Sequence, residues 1–129
     1  MLNYLKQHRA KLVYFPLALY WGALLIGTSL PGSKAPNITV NDKIQHLAAF
    51  AGLGVLLSMT LFVQEKYKLL NRHFMLSSLA IITIYAALDE IHQIFIPGRS
   101  ADPFDLLSDF LGAVIGGFLF ILFKNKFLQ

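Results

Sequence analysis

The chain has 129 residues, of which 56% are hydrophobic and only 14% charged, and its mean hydropathy is +0.58. A soluble domain carries about a quarter charged residues, so this composition excludes an ordinary soluble domain and points to a single membrane domain over residues 1–129. The lack of cysteine excludes disulfides, thiolate metal sites and a cysteine nucleophile, and the net charge of +4 lies in short gaps between apolar runs, where it sets topology rather than nucleic-acid binding.

Four apolar stretches follow one another, at about 12–30, 44–63, 74–93 and 106–123. Each is near the roughly 20 residues that a spanning helix needs. The first follows Lys6, Arg9 and Lys11, as the core of a signal peptide would. It is longer than such a core and has no A-x-A-like site after it, so it is read as a retained helix. Pro16 falls in its first turn or two, where proline is tolerated best. The third run, Phe74 to Leu88, is uncharged but too short alone; completing it carries the helix past Asp89 and Glu90 to about Gln93. The expected fold is all-α, an integral membrane bundle of four transmembrane helices.

Lysine and arginine orient it. With the N-terminus inside, Lys6, Arg9, Lys11, Lys66, Lys68, Arg72, Lys124 and Lys126 are cytoplasmic, and Lys34, Lys43 and Arg99 are outside. Both termini are therefore expected in the cytoplasm. The acids have the opposite bias: Asp42, Asp89, Glu90, Asp102, Asp105 and Asp109 fall outside, and Glu65 inside.

Counting at 1.5 Å per residue from the cytoplasmic helix ends places Asp89 roughly 22 Å up, Asp109 roughly 21 Å and His46 roughly 25 Å. Three helices thus carry titratable groups at one level. Spacings of three or four put them on shared faces: Asp42 with His46, and Asp89 with His92 and Gln93. Asp102, Asp105 and Asp109 continue into Gly112 and Gly116, whose G-x-x-x-G spacing lets a neighbouring helix backbone approach closely. Ala48, Ala49 and Gly52 make a comparable small set after His46. Pro97-Gly98 signals a turn, and Arg99 would return toward the aspartates, its fork suited to a carboxylate or a ligand phosphate. Thr28, Ser29 and Ser33 read as loop or cap residues; His8 and His73, in basic cytoplasmic segments, need no site.

Asp42-Lys43-Ile44-Gln45-His46, Asp89-Glu90-Ile91-His92-Gln93 and Pro97-Gly98-Arg99-Ser100-Ala101-Asp102, followed by Asp105 and Asp109, resemble the VanZ-like family in order and spacing from about Asp42 to Gly117. Gly112 fits a small position of the family pattern, and Leu111 stands where many relatives have asparagine. The resemblance implies a small, multi-pass protein of the bacterial cytoplasmic membrane. The family's founding member is associated with resistance to the glycopeptide antibiotic teicoplanin, which implies a link to lipid-linked envelope precursors at the outer face.

Three readings of the polar residues stand. One is a binding site for an envelope lipid or glycopeptide-related ligand, formed by Asp42, Lys43, His46, Asp89, Glu90, His92, Gln93, Arg99, Asp102, Asp105 and Asp109. The second is an enzyme with His46 or His92 as base and Asp89, Glu90 or Asp109 orienting it or acting as acid. The third is a structural ion-pair core, with Arg99 on Asp102 or Asp109 and His46 on Asp89. No cofactor motif and no H-E-x-x-H are present, although a divalent metal would relieve the excess of acids. The inner halves of the helices carry few polar groups, which argues against a pathway through the membrane.

Overall fold

The computed structural model describes residues 1–34 and 41–128. Among these residues the fold is all-helical, and four helices are long and apolar enough to cross a membrane. A short α1 (Leu2–Gln7) leads into a π-helical turn, Ala10–Tyr14, and then α2 (Phe15–Ser29). α3 (Asp42–Val63), a one-turn α4 (Lys68–Arg72), α5 (Phe74–Gln93) and α6 (Pro103–Phe127) complete the bundle. The π-turn ends just before Pro16. Proline has no N–H to give and crowds the carbonyl four residues earlier, and a widened turn accommodates both.

The third span coincides with the expected 74–93. The fourth corrects the sequence reading, running Pro103–Phe127 instead of 106–123. Asp102 caps it, its Oδ1 accepting from Phe104 N at 2.9 Å, and Pro103 occupies the first turn, where a missing N–H costs nothing. α3 likewise starts at Asp42, two residues earlier than expected, because Asn41 accepts from Lys43 N at 2.8 Å. Its other end is held by Asn71, whose amide donates to the carbonyls of Phe62 and Gln64, groups left over at every helix C-terminus.

The helices alternate in direction. Lys6 and Arg9 bind Glu65 at 2.9 and 3.2 Å, and Lys124 lies 5.5 Å from the Phe62 ring centre, so both termini and the α3–α5 connection share one end. Gly32 N donates to Pro97 O at 2.9 Å, joining the two connections at the other end. Gly98 has φ +75°, a conformation that glycine adopts without strain. It lies so close to Gly32 that a Cβ on Gly32 would strike the Gly98 carbonyl.

The closest pair is α3 and α6. A Cβ on Gly112 would meet the Leu47 carbonyl, and one on Gly116 the Ala51 carbonyl, so the expected G-x-x-x-G contact is real and its partner is α3. The Ala49–Gly52 side of α3 faces α2 instead, where Tyr20 donates to Ala49 O at 2.7 Å. Phe50, Leu53, Leu57, Leu61, Ile82, Ala86 and Ala113 form the core. Outward-facing side chains such as Leu76, Ile84, Ile91, Phe104, Phe118 and Leu122 stay exposed, the arrangement expected where lipid rather than water surrounds a bundle.

Candidate functional site

The end of the bundle that carries the α2–α3 and α5–α6 connections gathers the polar residues into one network. The close α3–α6 contact sets His46 against Asp109: His46 Nδ1 donates to Asp109 Oδ1 at 2.7 Å, and Nε2 lies 3.6 Å from Asp105 Oδ2. One turn toward the surface, Lys43 bridges Asp102 and Asp105. Lys43 therefore does not stand free to hold an anion. Its ammonium, with the Phe104 N–H second, holds the Asp102 carboxyl below its ordinary range.

α5 contributes from the other side. Glu90 Oε2 accepts from Asp102 N at 2.9 Å, which ties the end of α5 to the start of α6. Asp89 accepts from Thr28 Oγ1 at 2.8 Å and from Gln93 Nε2 at 3.4 Å. His92 is exposed and pairs with Ser29 Oγ at 3.2 Å. Asp89, Glu90, Gln93, Asp105 and Asp109 are all buried.

Two expected pairings are corrected. His46 meets Asp109 and Asp105, while Asp89 is taken by α2. Arg99 binds no aspartate; its Nε donates to Leu30 O and its Nη2 to Gly27 O, each at 3.2 Å. Those carbonyls at the C-terminal end of α2 have no partner further along the helix, and they attract a cation through the helix dipole. Thr28 and Ser29 were missed as network members. The available signal was a run of two hydroxyls at the end of an apolar span, level with the acids of α5.

A cleft of about 240 Å³ opens above this network, lined by Asp42, His46, Gln93, Gly98, Arg99, Ser100, Asp102 and Asp105. Of the expected binding residues, Asp42, His46, Gln93, Arg99, Asp102 and Asp105 line it. Lys43, Glu90 and Asp109 brace its floor through the contacts above, and Asp89 and His92 point to α2. Donors and acceptors of both signs are thus offered within one small polar volume.

The VanZ/LLP1 family model matches residues 3–124. The chain belongs to that family. It is a VanZ/LLP1 multi-pass membrane protein with a buried acidic and ion-paired cluster. No curated protein and no solved structure shows significant similarity to it.

Proposed function

We propose that this VanZ/LLP1 protein sits in the cytoplasmic membrane with both termini inside, and binds the polar head of an envelope lipid or a glycopeptide-related ligand at the outer face. The observation that carries this reading is the cleft. It combines carboxylates, His46, an amide and Arg99, whose Nη1 makes no hydrogen bond among the described residues; an acyl chain would lie on the exposed apolar side chains of the surrounding helices. A headgroup with hydroxyl or ammonium groups matches the acidic wall, and the Arg99 edge suits a phosphate or carboxylate. The excess of Lys and Arg at the opposite end supports the orientation.

The test is lipid retention. Purified protein incubated with labelled envelope lipids should retain unaltered lipid by native mass spectrometry. Ser100→Trp, which fills the cleft from an exposed position, should abolish retention without disturbing helicity. Retention that survives the plug removes the cleft from the account.

A second reading, acid–base catalysis, is favoured by the 2.7 Å His46–Asp109 pair. A carboxylate that orients an imidazole in this way is a common element of a general base. Conversion of the labelled lipid, rather than its retention, would favour it.

A further inference from the structure

We propose that His46, Glu90 and Asp109 form a site for one divalent transition-metal ion, buried beneath the cleft. Each residue comes from a different helix, α3, α5 and α6. One potential ligand atom from each lies within 4.8 Å of the other two. Three ligands spread about an ion with bonds of about 2.0–2.2 Å lie about 3.3–3.8 Å from one another, so side-chain adjustment of about 1–1.5 Å at most completes the set.

An independent observation points to a ligand here. Glu90 Oε1 and Asp109 Oδ2 are buried with no hydrogen-bond partner among the described residues, in residues only 6% and 1% exposed. Buried carboxylate oxygens are ordinarily satisfied, and these two belong to the very carboxylates that form the cluster. Their sister oxygens are spoken for, Glu90 Oε2 by Asp102 N and Asp109 Oδ1 by His46. A cation is the partner that satisfies both orphans and offsets two carboxylates at membrane depth.

The donor set selects the ion class. Two carboxylates alone would suit magnesium, calcium or manganese, but an imidazole among three ligands favours zinc, with manganese the alternative that the carboxylates allow. With Asp109 as a co-ligand, His46 ligates through Nδ1, the nitrogen on the Asp109 side, and its Nε2 faces Asp105 Oδ2 at 3.6 Å. Metal-bound histidines are oriented by such an outer partner. Lys43 in turn holds Asp105. Three protein ligands leave a coordination position for a further group. The site stands on its own geometry and does not depend on the lipid reading.

The test uses the full-length chain in detergent, stripped with chelator and titrated with zinc or manganese alone. One ion per chain is expected, counted by elemental analysis, with an ion-dependent rise in melting temperature. Cobalt substitution should give the visible bands of a nitrogen- and oxygen-ligated centre. Glu90→Gln and Asp109→Asn should each weaken binding by about 100-fold or more while helicity stays unchanged; outer-partner loss alone costs about 10–100-fold. Should either variant fail to insert, Glu90→Asp, which keeps the charge and shortens the arm, is expected to fold and bind more weakly. Wild-type protein that takes up no ion at 100-fold molar excess overturns the proposal. So does uptake unaffected by Glu90→Gln but abolished by Asp42→Asn, which would move the ion to the neighbouring Asp42–His46–Asp105 group. Lipid retention that fails while the ion still binds counts against the lipid reading alone.

Discussion

Replacing Gly116 by alanine tests how the helix packing builds the site. The added Cβ would strike the Ala51 carbonyl oxygen and lie 2.9 Å from Val55 N and 3.0 Å from Ala51 C. All three are backbone atoms of α3, so no side chain can rotate away, and ordinary van der Waals contact at 3.4–4 Å requires the helices to separate by roughly 1 Å at this level. Overpacking of this kind costs about 1–3 kcal/mol. The same displacement, carried two turns up α6, stretches the 2.7 Å His46–Asp109 contact toward or past the limit of a hydrogen bond. Gly117 is the internal control, because the atoms nearest to a Cβ there belong to the flexible Met75 side chain, at 3.3–3.8 Å. Gly117→Ala should change stability by about 0.5 kcal/mol or less, and Gly22→Ala, with nothing within 4 Å, should be neutral or gain up to about 1 kcal/mol from helix propensity. Unfolding in sodium dodecyl sulfate followed by circular dichroism gives all three values. If Gly116→Ala is tolerated as well as Gly117→Ala, the close approach of α3 and α6 does not hold the bundle together.

Arg99→Lys should destabilise the end of α2 by about 1 kcal/mol, since a lysine cannot span Leu30 O and Gly27 O with a two-pronged contact; hydrogen exchange should quicken at the end of α2, and unchanged protection would refute the cap. Acid should weaken the Lys43–Asp102 contact. The Asp102 carboxyl titrates below its ordinary 3.8 when folded, so its contribution is complete above the unfolded value and lost as pH falls through the lower, folded one. Thermal stability of wild type and Asp102→Asn should therefore differ at pH 6, and the gap should narrow as pH falls below 3.8; a constant gap would show the contact to be silent. Glu65→Gln should loosen α1 from the α3–α4 turn by removing both the Lys6 and Arg9 partners, seen as faster proteolysis near the N-terminus with the cleft unaffected.

The four spans were legible because apolar length is a one-dimensional property of the chain. So was the common level of His46, Asp89 and Asp109, since helical rise converts residue count directly into height. Pairing was not legible, because it depends on rotation about each helix axis and on which helices adjoin. Lys43 and Arg99 are both basic and both near the aspartates in sequence, yet one neutralises two acids and the other caps a helix. The early start of α6 was available in Asp102-Pro103, a capping residue followed by a first-turn proline, which the apolar run alone does not include. The two orphaned carboxylate oxygens could come only from coordinates, because an unmet hydrogen bond leaves no trace in sequence.

The account rests on side chains from α3, α5 and α6 sharing one buried pocket. Solid-state NMR of the ring nitrogens of ¹⁵N-histidine protein in lipid bilayers tests this directly, with His8 and His73 as internal references. The His46 signals should shift in Asp109→Asn and also in Glu90→Gln, while those of His8 and His73 stay in place. A His46 spectrum that ignores both substitutions would contradict the convergence.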